Sequence, residues 1–232
     1  MVLNRLDEAV FADETTKGRI VQELASHPEE ALGIMIDILG RAPKSRWRLA
    51  TRVIRAIGSP KNISAIPRLI EQVADSNSPA RDEAARTLAE MDPGVVVPYF
   101  ILFLLDSTRH YSWESDIEGF CSMLSSMELA YIVPCGPTIT HLLSYFSRRN
   151  DFRGKLDLGF LLDLLEKIGP SCAEYALPTL IGLINQGENS HVSLQARRLI
   201  ATFSQEAREP YKHLLASLGI STAEGQPEAE GL

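Results

Sequence analysis

"SPARDEAARTLAEMDPG", Ser78 to Gly94, sets Ala80, Ala84, Ala85 and Leu88 on one stripe of a helix and stops at a proline-glycine pair. One amphipathic helix cannot cover its own apolar stripe, so the fold depends on what the rest of the chain lays against it. Related stripes recur at Leu49, Ala50, Val53, Ile54 and Ile57; at Ile117, Phe120, Cys121, Leu124 and Met127; at Leu158, Leu161, Leu162, Leu165 and Ile168; and at Val192, Ala196, Leu199, Ile200 and Phe203. Three of these helices close on related punctuation, "IGSP" at Ile57 to Pro60, "MDPG" at Met91 to Gly94 and "IGPS" at Ile168 to Ser171. Glycine there favours a left-handed cap, and proline cannot continue the hydrogen-bond ladder.

A second, more apolar helix type carries a proline near its start: Pro67, Pro98, Pro134 with Pro137, Pro178 and Pro210. Counting Pro134 for its pair, successive prolines lie 31, 36, 44 and 32 residues apart, a period that fits one helical hairpin per repeat. No stretch alternates apolar and polar residues over strand length with hairpin signals on both sides, so the fold class is all-α. The pattern predicts an entry region at 3–27, then helices paired as 29–41 with 44–58, 62–75 with 79–91, 94–106 with 114–127, 131–147 with 154–168 and 172–186 with 191–204. A half-repeat follows at 207–219, and residues 221–232, "STAEGQPEAEGL", read as a solvated acidic tail.

The array resembles HEAT repeats, the paired-helix α-solenoid family, over roughly residues 29 to 219. The match is carried by "AIPRLIEQVADSNSPARDEAARTLAEMDP", Ala65 to Pro93, with its proline-bearing first helix, Asp75 near the turn, and Arg81 followed by Ala84 and Ala85. Tyr175 to Phe203 has the same shape but lacks the aspartate and has Ser193 where the arginine belongs. The resemblance implies a right-handed stack of about five helix pairs that share one core and expose a long binding surface. Asp75 and Arg81 are expected to pair locally and tie the turn to the second helix.

Composition narrows the function classes. The chain has 232 residues, is 45% hydrophobic and carries a formal charge of −7. The longest apolar run, "VVVPYFILFLL" at Val95 to Leu105, is interrupted by Pro98 and falls well short of the ~20 residues of a membrane span. It reads as a buried helix. The amino end has early acids and no apolar run of signal-peptide length, and Cys121, Cys135 and Cys172 are an odd set without CxxC spacing. Both suggest a reduced, cytoplasmic setting.

Signals of catalysis are sparse. The sequence contains no glycine-rich phosphate loop, no GxSxG turn and no HExxH, and its five histidines, His27, His110, His141, His191 and His213, are scattered. No cofactor or metal is expected. Asp157, Asp163 and Glu166 read as a solvated face. By resemblance alone, two enzymatic branches stay open: HEAT-like DNA alkylation-repair glycosylases, whose tryptophans and aspartate would have Trp47 and Trp113 with Asp116 as candidates, and HEAT-like bilin lyases. The acidic faces disfavour a phosphate backbone.

Charge is distributed unevenly. Between Ile38 and Ile70 lie eight basic residues, Arg41, Lys44, Arg46, Arg48, Arg52, Arg55, Lys61 and Arg68, and no acid, while the other 15 basic residues face all 30 acids. At 100° per residue Lys44, Arg48, Arg52 and Arg55 share one arc opposite the apolar stripe of their helix. Two readings compete: a solvated face paired with neighbouring acids such as Asp82 and Glu83, and a binding face for an acidic protein segment, with Arg41 beside it. The second reading is preferred, because like charges at turn spacing repel until a partner neutralises them. Arg197 and Arg198, near Leu194, form a second candidate surface. The function expected from these features is a non-enzymatic scaffold or adaptor.

Overall fold

The computed structural model describes residues 2–41, 43–106, 114–148, 158–186 and 190–220, and no strand occurs among them. The protein is all-α. Its contacts divide into two compact units, Met1–Tyr131 and Ile132–Leu232.

In the first unit the entry region is two helices, α1 (Val2–Phe11) and α2 (Glu14–Ala25). Asp13 separates them, its carboxylate accepting from the Thr16 amide at 2.8 Å as an N-cap. Then come α3 (Pro28–Arg41), a 3-10 turn (Lys44–Arg46) running into α4 (Trp47–Ile57), another (Ile63–Ala65) running into α5 (Ile66–Ala74), and α6 (Arg81–Ala89). The unit ends with α7 (Pro93–Asp106), α8 (Glu114–Ser126) and the short α9 (Leu129–Ile132), which contains the unit boundary. α3 packs on α4 and α5 on α6; α3 also meets α5, and α4 meets α6.

Side-chain placement follows the stripes. Leu49, Ala50, Val53 and Ile54 of α4 are buried, as are Ala80, Ala84 and Leu88 along α6. Ala85, expected on the same stripe, is half-buried, and Thr87 is buried in its stead with its hydroxyl donating to the Glu83 carbonyl. Each fully buried aliphatic side chain contributes ~1.5–3 kcal/mol, so packing outweighs the surface ion pairs as the source of stability. A buried polar relay fixes the turn before α6. Ser78 Oγ donates to Gln72 Oε1 (2.8 Å), and Gln72 Nε2 donates to the Leu39 carbonyl in α3 (3.1 Å).

The punctuation works in two ways. Gly58 closes α4 at φ 73°, the left-handed conformation that its sequence position predicts. "MDPG" follows the end of α6 and also starts the next helix: Pro93 opens α7, and the Asp92 carboxylate accepts from the Gly94 amide at 2.7 Å. The Glu90 amide caps α6, and Tyr131 buttresses that end, its hydroxyl donating to the Met91 carbonyl and lying 3.1 Å from that of Ala89.

The second unit starts with a 3-10 turn (Val133–Cys135) leading into α10 (Gly136–Ser147). It continues with α11 (Gly159–Ile168), a 3-10 turn (Gly169–Cys172) into α12 (Ala173–Gln186), α13 (His191–Ala201), α14 (Gln205–Arg208) and α15 (Lys212–Ser217). α10 packs on α11 and α12 on α13, while α10 meets α12 and α11 meets α13. All three cysteines are buried; burial pushes the Cys135 thiol up to about 12 and the Cys172 thiol to about 11. No helix among the described residues is long and apolar enough to cross a membrane.

Candidate protein-interaction face

α4 places the basic stripe because its apolar residues must face α3, α2 and α6, which leaves the opposite arc to Arg48, Arg52 and Arg55. Most of the stripe is occupied. Arg55 clamps two acids of the next pair, donating to Glu83 Oε1 (3.1 Å) and making a two-point contact with Glu90. Glu83, expected in solvent, keeps a side chain only 12% exposed beneath that guanidinium. Arg55 in turn holds the Glu90 carboxyl below its usual range, by hydrogen bonding first and charge second. Arg52 donates to Glu14 in α2 (2.9 Å), and Arg46 pairs with Asp7 in α1 (2.6 Å). Lys44 Nζ lies 3.4 Å from Asp75, donates to the Asn77 carbonyl (3.2 Å) and sits over the Trp47 ring. Arg68 pairs with Glu71.

One stripe residue and its neighbour differ from the rest. Arg41 and Arg48 are exposed, and among the described residues no carboxylate lies within ion-pair distance of either. The anticipated continuous row of cations is therefore mostly internal wiring to acids of neighbouring helices and turns, with open charge left at Arg41 and at Arg48. Charges drawn on one helical wheel cannot show this, because the compensating acids come from α1, α2 and α6.

The anticipated Asp75–Arg81 pair does not form among the described residues. Asp75 turns to Lys44 and to the Asn77 amide (2.8 Å), while Arg81 Nη2 donates to the Gly119 carbonyl in α8 (2.9 Å). Arg81 thus ties α6 to a helix 38 residues further on, where α5 and α8 pack closely and a Cβ on Gly119 would lie 3.2 Å from the Ala74 carbonyl oxygen. In the second unit, Arg197 donates to the Leu218 carbonyl and so anchors the end of α15. Arg198 and Leu194 are exposed on α13. Trp113 and His110 lie outside the described residues, as does the side chain of Asp116. No group of three metal-ligating side chains gathers among the described residues.

One feature is not apparent from the helical stripes. The run Val95–Leu105 is not wholly buried: Leu102 is 62% exposed, and with Pro67, Ile70, Tyr99 and Leu105 it lines a groove of about 570 Å³ between α5 and α7. A signal for it exists in the sequence, since α7 is apolar on more sides than one buried stripe requires.

Fold and site define an all-α protein in which α3 packs on α4, α5 on α6, α10 on α11 and α12 on α13, whereas α7 and α8 both pack on α5, with a mostly self-paired cationic face. Comparison with known proteins finds no family model that matches the chain and no curated protein that matches it.

Proposed function

We propose that this chain is a non-enzymatic interaction module, a HEAT-like right-handed solenoid of about five helix pairs, that binds an acidic protein segment on the α4 face. Within each unit, like helices packed on like support the stacked reading: α3 on α5 and α4 on α6, α10 on α12 and α11 on α13. The observation that carries the binding reading is the open charge at Arg41 and Arg48, set in a window of eight cations and no acid on a chain that is otherwise strongly acidic. Such a patch steers an acidic segment and disfavours long duplex DNA, whose phosphates would meet the surrounding acids.

The test replaces the open cations only, because Arg52 and Arg55 already pair with acids of α2 and α6. Binding of a fluorescent octaglutamate peptide is followed by anisotropy at low and at moderate salt. Wild type should bind, with affinity falling as salt rises, and Arg41→Glu with Arg48→Glu should lose at least tenfold while keeping its helical circular dichroism. Equal binding by wild type and the double variant would remove this face as the site.

A further inference from the structure

A small cleft of about 130 Å³ lies where α1 and α2 meet the start of α4, lined by Glu14, Lys17, Ser45, Arg48 and Arg52 together with Leu49. Three cations face one carboxylate. Glu14 Oε1 accepts from Lys17 Nζ at 3.1 Å, and its Oε2 accepts from Arg52 Nη1 at 2.9 Å. Exposure is lopsided across these pairs: the side chains of Lys17 and Arg52 are 25% and 30% exposed, whereas that of Glu14 is 73% exposed. The cations belong to the wall and the carboxylate rests on it from the solvent side. Arg48 adds a third cationic head to the cleft, with no carboxylate in ion-pair distance among the described residues.

We propose that this cleft is a carboxylate-binding site which Glu14 occupies as an internal stand-in, and that an aspartate or glutamate of the acidic partner displaces Glu14 to engage Lys17, Arg52 and Arg48. The proposal rests on the acidic-segment reading above and locates where one of the partner's side chains docks. Hydrogen bonds from Lys17 and then Arg52 hold the Glu14 carboxyl below its usual range, so the stand-in is charged at neutral pH. Displacement is cheap, because water screens an exposed ion pair and solvates its members when they part. The exchange replaces the two pairs that Glu14 makes and adds a third with Arg48. Glu14 itself is dispensable for starting α2, since the cap is made by Asp13.

The experiment compares Glu14→Gln with Glu8→Gln, which removes the same charge from neighbouring α1, where Glu8 pairs with Arg5 outside the cleft. The probe is again the octaglutamate peptide. Glu14→Gln should bind about two- to fivefold tighter than wild type, the range set by the loss of an exposed competing pair. Glu8→Gln should gain clearly less, and adding Lys17→Met to Glu14→Gln should abolish the gain. Wild-type binding that depends on Arg48, with Glu14→Gln and Glu8→Gln shifted equally, would overturn the stand-in and leave the acidic-segment reading intact. No binding by wild type or by Glu14→Gln would overturn both.

Discussion

Arg55 and Arg48 sit two turns apart on one helix and do different work. Arg55 covers Glu83 and grips Glu90, so it links α4 to α6; Arg48 reaches no carboxylate among the described residues. Solvent screens the Arg55 contacts, yet removing that side chain leaves Glu83 with Arg86, 3.8 Å away, as its remaining cation among the described residues. Arg55→Ala should therefore lower unfolding free energy by about 1 kcal/mol, and Arg48→Ala by no more than about 0.5 kcal/mol. Urea titrations of the two variants check this; equal midpoints would mean that the clamp contributes nothing. The same two positions separate a structural charge from one available to a partner.

Helix contacts in the second unit depend on a close approach between α10 and α12. A Cβ placed on Gly136 would lie 2.1 Å from the Tyr175 hydroxyl, so the first residue of α10 must be glycine for the ring to lie where it does. That packing desolvates the phenol and pushes it up to about 12. Gly136→Ala should cost ~1–3 kcal/mol, despite the gain alanine gives a helix. Gly182, inside α12, has open space where a methyl would sit, with no atom within 4 Å, and Gly182→Ala should be neutral or stabilising by up to ~1 kcal/mol. Thermal denaturation of the pair reads the difference, and the reverse order would show that α10 and α12 pack otherwise.

Across the molecule, acid should be the destabilising direction. Asp13, Glu14 and Glu90 have folded pKa values below their ordinary ones, through the Thr16 amide, through Lys17 with Arg52, and through Arg55 respectively. Groups lowered in this way stabilise the folded state above their unfolded pKa values and lose that contribution as pH falls through the folded values. Arg5 and Arg55 are raised from an already high value, so their share persists throughout the neutral range. Urea midpoints should thus decline from about pH 4.5 downward, and Glu90→Gln should show a shallower decline. An acid profile identical in wild type and Glu90→Gln would mean that the Arg55 clamp is not formed in solution.

Helix identity was legible because it is a local property: the stripes on α4, α6, α11 and α13, the left-handed Gly58 and the proline-led apolar helices all follow from residues three to four apart. Partner choice is not local. Whether Arg52 and Arg55 face solvent or an acid depends on Glu14, Glu83 and Glu90, which lie 28 to 38 residues away in sequence and reach α4 only when α2 and α6 pack on it. Arg81 shows the same limit, with Asp75 near in sequence and Gly119 near in space. A helical wheel sorts side chains into buried and outward, because hydrophobic burial is set by the period of one helix. Only packing assigns the outward charges their neighbours, because ion pairs are made across elements at distances that the chain order does not encode.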